Sequence, residues 1–237
     1  MSNGSWVALF SGGKDSAWAL YRALELGLDV GYLLTVHPTD DSYLYHVPAT
    51  HVTPLAAESI GIPLLEVEED RGTGHDSTRR ADAEITAIES ALRELDAPLS
   101  GGIAGVIVGA IESEYQFDRI NGVCEELDLE VFAPIWRADP VELGTEMLDA
   151  GFEILIVQVA ARGLDESWLG KTLDESAFDS LVSLNEEYGV HVLGEGGEFE
   201  TLVIDAPYMD RRIDVEYETV WDGIRGHLDV RSARLAE

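Results

Sequence analysis

Residues 6–16 read WVALFSGGKDS, and this stretch decides the fold. A buried-strand run, Trp6–Phe10, leads into two glycines. Ala17, Leu20, Tyr21, Leu24 and Leu28 then recur at helical spacing, and Gly27 suits the helix end. Gly12 and Gly13 can take backbone angles closed to other residues and let an anion approach the main chain. A helix starting near Asp15 presents N–H groups without intrahelical partners and the positive end of its dipole. Ser11 and Ser16 add hydroxyls and Lys14 adds a full charge, so the turn forms a cradle for a compact polyanion. It lacks the four-residue spacer and the Gly-Lys-Ser/Thr ending of the common P-loop. The bland alternative is a strand-to-helix turn capped by Ser or Asp. The complete pattern S-G-G-K-D-S between strand and helix weighs against it.

Working outward, strand signals recur at 30–36, 62–67, 105–111 and 130–136, and helix signals at 52–60, 78–95 and 114–127. Strands separated by helices imply right-handed βαβ units. The expected fold is therefore α/β: an N-terminal parallel five-stranded sheet with helices on both faces, Rossmann-like. Ligands of such sheets bind at the carboxyl ends of the strands. SGGKDS, YHVPATH (45–51) and GAIESEY (109–115) all follow predicted strands and so fall on one edge. The second half reads differently: helices at 140–151 and 173–188, a strand at 152–160, and strand patterning in LVIDAP and RRIDVEYETVWDG. This predicts a smaller α+β C-terminal domain, with domains at 1–133 and 134–237.

Composition narrows the function. Among 237 residues, 15 Lys+Arg stand against 46 Asp+Glu, a net charge of −31. Lys14 and Lys171 are the only lysines. Direct nucleic-acid binding by a broad basic patch is disfavoured. Acid spread this evenly, with lysine nearly absent, points to a halophilic protein, since in molar salt screening shrinks to about 3 Å. In a chain that avoids lysine, Lys14 inside a glycine turn stands out. The single cysteine, Cys124, can form neither an intramolecular disulfide nor a Cys-x-x-Cys pair and reads as a core residue. No apolar run reaches membrane-span length and the N-terminus has no secretory pattern, so a cytoplasmic protein is expected. His46 and His51 have poor metal spacing, the other histidines are isolated, and no protein-bound metal is expected.

GEGGEFET (194–201) is the second unusual stretch. Glu198 and Glu200 would share one face of an extended segment, and Gly196 and Gly197 permit a bend that brings Glu195 to them. Clustered carboxylates can bind a cation or serve as a general base. From charge alone, a solvated acidic turn is the favoured alternative.

SGGKDS resembles the pyrophosphate loop of N-type ATP pyrophosphatases, which split ATP between the α and β phosphates. SGGKDS, YHVPATHVTPLAAESIGIPL (45–64), GAIESEYQFDRINGVCEELDL (109–129), PIW (134–136), LG (169–170) and GEGGEFETLVIDAP (194–207) occur in this order. Together they closely resemble the diphthine–ammonia ligase family over about residues 5–210. GEGGEFET is more specific than the loop, which many pyrophosphatases share. Two departures stand out: Ala49-Thr50 where the family often has Asn, and Phe117-Asp118 before Arg119 where it often has a basic residue.

The resemblance implies an adenine nucleotide alpha hydrolase-like (HUP) N-terminal domain. It implies ATP, with magnesium carried by it, and ATP-dependent amidation of diphthine on elongation factor 2 by ammonia through an acyl-adenylate. Ser11, Gly12, Gly13, Lys14, Asp15 and Ser16 would bind the β and γ phosphates, and Gly109 and Ala110 would line the nucleotide. Tyr115, Arg119, Trp136, Glu195, Gly196, Gly197, Glu198, Glu200 and Thr201 would face the substrate. Lys14, Asp15 and Glu198 would carry the catalysis. Trp136, Tyr115 or Phe199 could hold the trimethylammonio group by cation–π contact. Two other readings stay open. One is a related adenylating ligase for a different carboxylate; the other is an ATP-binding module without chemistry. A glutamine-hydrolysing synthetase is disfavoured because Cys124 has no partner histidine nearby in sequence. The oligomeric state is left open.

Overall fold

The computed structural model describes residues 4–37, 52–68, 77–99, 101–111 and 114–237. These form two compact units. The first comprises Met1–Ser11, Asp15–His46 and Ile62–Trp136; the second comprises Gly12–Lys14, Val47–Gly61 and Arg137–Glu237.

The first unit is built on five strands: β1 (Ser5–Leu9), β2 (Val30–His37), β3 (Leu64–Glu68), β4 (Ile103–Ile107) and β5 (Glu130–Phe132). Their order is β3-β2-β1-β4-β5 and every pairing is parallel. The order reverses between β2 and β4 at β1, the switch point where open α/β sheets bind ligands. The helices of this unit are α1 (Lys14–Glu25, its first residue apart), α3 (Ser77–Asp96) and α4 (Glu114–Glu126); α2 (Thr53–Ile60) groups with the second unit. Val7, Leu34 and Val106 pack with Ile88, Leu92 and Leu95 of α3 and with Ile120, Val123 and Cys124 of α4. Strand alternation leaves the buried Ala8, Leu33 and Ile107 on the opposite face. Right-handed connections send α1 to that face, so the sheet is covered on both sides, as the apolar pattern predicts. β5 is shorter than its apolar run suggests; it stops at Phe132, before Pro134, whose fixed φ and missing N–H end the ladder.

The second unit carries an antiparallel sheet of β6 (Glu153–Val159), β7 (Phe199–Asp205), β8 (Ile213–Trp221) and β9 (Gly226–Leu235), in the order β7-β6-β9-β8. Its helices are α5 (Pro140–Asp149) and α6 (Glu175–Tyr188). α5 starts where Asp139 accepts N–H bonds from Val141 (2.9 Å) and Glu142 (3.0 Å), and α6 where Asp174 accepts from Ala177 (2.8 Å). Each such cap stabilises its helix by about 1 kcal/mol. α2 is held by Ser59, whose Oγ donates to the Arg211 carbonyl (2.6 Å) and accepts from the Arg211 N–H (2.9 Å). The strand pattern left β9 unread, and β7 begins earlier than LVIDAP suggests, drawing Phe199, Glu200 and Thr201 into the ladder.

Candidate active site: a phosphate loop and an acidic turn

The glycine loop 11–16 leaves β1 at the switch point. Phe10 holds the exit: its N–H donates to the Leu34 carbonyl (2.8 Å) and its carbonyl accepts from buried Thr35 Oγ1 (2.5 Å). Gly12 then takes φ +79°, which a side chain would resist. Ser11 and Ser16 close on one another, with their hydroxyls 3.1 Å apart and the Ser11 N–H donating to Ser16 Oγ (3.2 Å). Gly109, just beyond β4, lies against this turn. A Cβ there would stand 2.7 Å from the Asp15 carbonyl and from the Ser16 nitrogen. A methyl group would fill the space that the loop backbone occupies, so this contact requires glycine. Ala110 is buried in the core under the sheet.

Lys14 opens α1 and is only 3% exposed. Its N–H donates to Thr201 Oγ1 (3.2 Å), and its ammonium stands 5.6 Å from the Phe199 ring centroid. The Val203 N–H donates to the Gly12 carbonyl (2.9 Å). β7 thus holds Gly12 and Lys14, which group with it in the second unit. Phe199 and Thr201 alternate onto that side of the strand, and Glu200 points to the other. Buried at 2% exposure beneath the Lys14 ammonium, Phe199 has no ring face left for a second cation. Of the three aromatics considered for the trimethylammonio group, it is set aside.

GEGGEFET forms two tight turns. Gly194 N–H donates to the His191 carbonyl (2.9 Å) and Gly197 N–H to the Gly194 carbonyl (3.0 Å), with φ +72° and +78° at the two glycines. The Glu198 carbonyl accepts from Ala160 N–H (2.8 Å), which fixes the entry to β7. Glu198 turns its carboxylate back into the loop, where Oε1 accepts from the His191 N–H (3.2 Å). Gly196 leaves room for that carboxylate, since a Cβ would lie 2.8 Å from Oε1. Glu195 and Glu200 are half-buried on either side.

His191 is a residue that sequence reasoning passed over. It follows the αL cap of α6 at Gly189, and its Nδ1 accepts from the N–H groups of Leu193 (3.2 Å) and Glu195 (3.3 Å). No spacing signal marks it, because its partners are main-chain groups.

Among the other predicted residues, Trp136 stacks on Phe117, with centroids 4.3 Å apart and planes 19° apart. Arg119 is half-buried on α4, and Tyr115 lies on the same helix with its side chain outside those described. The YHVPATH segment, with His46 and His51, falls outside the described residues. Burial pushes the Cys124 thiol up to about 11, so it stays protonated at neutral pH and is no nucleophile. Among the described residues no three His, Cys, Asp or Glu side chains come together as metal ligands. No described helix is long and apolar enough to cross a membrane.

Comparison with known proteins covers both stretches. A family model for the diphthamide synthase N-terminal domain matches residues 4–131, and one for the diphthamide synthase C-terminal domain matches 139–236. The chain belongs to the diphthamide synthase family. Family relatives include a rat protein named diphthine–ammonia ligase, 37% identical over 223 residues that cover 89% of this chain and 82% of the relative. The human protein of that name is 34% identical over 227 residues, covering 90% and 84%. A third relative so named, from Schizosaccharomyces pombe, is 35% identical over 217 residues, which are 87% of this chain and 35% of that longer protein. The family matches span the phosphate loop and the acidic turn alike.

Proposed function

We propose that the protein is a diphthine–ammonia ligase, a carbon–nitrogen ligase that uses ATP to convert the diphthine carboxylate on elongation factor 2 into a primary amide. The observation that carries this reading is the bond from Lys14 N–H to Thr201 Oγ1. It ties the head of the phosphate loop to the last residue of GEGGEFET, so the group that would neutralise a leaving pyrophosphate belongs with the segment that would handle ammonia. A sensor of ATP would need the first and not the second.

In the first half-reaction a diphthine carboxylate oxygen attacks the α phosphorus, the bond to the β-phosphate oxygen breaks, and pyrophosphate departs. Ser11, Gly12, Gly13, Lys14, Asp15 and Ser16 hold the β and γ phosphates through loop N–H groups, hydroxyls and the buried ammonium, where donors fixed in advance act strongly on developing charge. Asp15, beside Lys14 in the first helical turn, is assigned to the same step, and Gly109 and Ala110 to the nucleotide's surroundings. Magnesium travels with the triphosphate. In the second half-reaction ammonia attacks the acyl carbon, the bond to the AMP oxygen breaks, and Glu198 takes the proton lost by nitrogen. Glu195, Gly196, Gly197, Glu200 and Thr201 shape that end of the site. Trp136, stacked on Phe117, serves the trimethylammonio group with its outer face; Arg119 and Tyr115 are assigned to the same substrate side. Residues 1–133 act as the nucleotide domain and 134–237 as the substrate domain, in a cytoplasmic protein adapted to molar salt.

The test is product analysis in molar salt with diphthine-bearing elongation factor 2, ammonium and ATP. Steady turnover to AMP and pyrophosphate is expected only when all three are present. ADP as the product would remove the assignment, and turnover without the protein substrate would transfer it to another acceptor.

A further inference from the structure

One histidine ties the acidic turn together. The His191 main-chain N–H holds Glu198 Oε1, and its ring accepts the N–H groups of Leu193 and Glu195 at Nδ1. With Nδ1 committed as an acceptor, the proton of the neutral ring sits on Nε2. That Nε2 is buried and meets no acceptor among the described residues, and Glu198 Oε2, also buried, meets no donor. Buried polar groups in folded proteins are almost always paired, so each such atom asks for a partner that the described residues do not supply. The turn therefore presents one unfilled donor and one unfilled acceptor, on two residues linked by a hydrogen bond.

The chemistry of that pair selects among the species of the reaction proposed above. A carboxylate offers only acceptors, and Glu198 would repel it. Ammonium offers only donors, and the His191 N–H would oppose it. A carbon that bears both an oxygen and an N–H group satisfies both atoms, and such a carbon exists after ammonia has added. We propose that His191 Nε2–H donates to the oxygen of the carbon that receives nitrogen, while Glu198 Oε2 accepts from that nitrogen. The inference rests on the ligase reading. As the C–N bond forms, the carbonyl π pair moves onto oxygen and is met by the Nε2–H. Nitrogen then gives a proton to Glu198, the pair on oxygen returns, and the C–O bond to AMP breaks, with AMP taking the bonding pair. His191 keeps its proton throughout and acts as a fixed donor rather than as a base.

Two substitutions separate this role from a structural one. Asparagine places an oxygen close to where Nδ1 stands, so His191→Asn keeps an acceptor for Leu193 and Glu195 and loses the Nε2–H. His191→Ala loses both. His191→Asn is expected to keep the wild-type melting temperature and to keep ATP–pyrophosphate exchange, measured with diphthine-bearing elongation factor 2 and no ammonium, within about twofold. Its kcat for amide formation should fall about 100-fold, the scale for one oxyanion donor. His191→Ala should show the same kcat loss together with a lower melting temperature. In the wild-type protein, nitrogen-15 spectra of the histidines should place the His191 proton on Nε2, and this measurement does not depend on any variant folding. A proton on Nδ1, amide formation at the wild-type rate in His191→Asn, or equal loss of exchange and amidation would each overturn the proposal while wild-type turnover leaves the ligase reading standing. A wild-type protein that makes no AMP would instead remove the ligase reading, and this proposal with it.

Discussion

Two glycine pairs, Gly12-Gly13 and Gly196-Gly197, shape turns of opposite chemistry. The first stands where a parallel strand runs into a helix, and a helix start leaves N–H groups over. The second stands where a helix has ended and an antiparallel strand begins, and its side chains Glu195, Glu198 and Glu200 supply acceptors. One turn is made of donors, the other of acids, and Thr201 joins them through the Lys14 N–H. What a glycine turn binds is decided by the secondary structure on its two sides and by the few charges it carries, not by the glycines.

The comparison breaks most sharply at Lys14. Replacing it by Met keeps the buried volume and removes the charge; AMP formation should fall by about 1,000-fold with diphthine-bearing elongation factor 2 as substrate, while circular dichroism stays that of the wild type. Survival of activity would mean that the loop N–H groups suffice. Next in size is Gly109→Ala. Its methyl group would meet the Asp15 carbonyl at 2.7 Å and push the loop outward. A loss of about 1–3 kcal/mol of stability by chemical denaturation, with ATP affinity weakened about tenfold or more by calorimetry, is expected. Thr201→Val removes the Thr201 Oγ1 acceptor for Lys14 N–H, at a cost of about 1 kcal/mol in denaturation and a several-fold higher KM for ATP. The smallest effect tests where nitrogen comes from. Because burial holds the Cys124 thiol up at about 11, aromatic disulfide reagents should leave the folded protein unlabelled at pH 8, and glutamine should not replace ammonium in the amidation assay.

Much of this was legible in the residues. The parallel sheet could be read because its central strands β1, β2 and β4 carry buried residues on both faces and appear as unbroken apolar runs such as GVIVGAI. The loop could be read because Lys14 is one of two lysines and sits between a strand and a helix. β9 could not: only Gly226 and Leu228 of its ten residues are buried, and the alternation of Leu228 and Val230 slips by one residue before Ala233 and Leu235, where the register with β8 shifts. The grouping of α2 with the second unit rests on Ser59 meeting Arg211, a pairing across 152 residues that no local pattern announces. His191 was invisible for a related reason, since it acts on main-chain N–H groups that every sequence has. The shared face expected of Glu198 and Glu200 assumed an extended segment, whereas β7 starts at Phe199 and Glu198 belongs to the turn before it.

The bond between Lys14 and Thr201 spans 187 positions along the chain. A ribosome translating this protein releases the glycine turn almost at once and its anchor nearly at the end. A nascent polypeptide that has exposed only the parallel strands carries the glycine turn but lacks the strand that fastens it. The turn is thereby completed only when synthesis is almost finished, and prematurely terminated fragments carry it without its anchor.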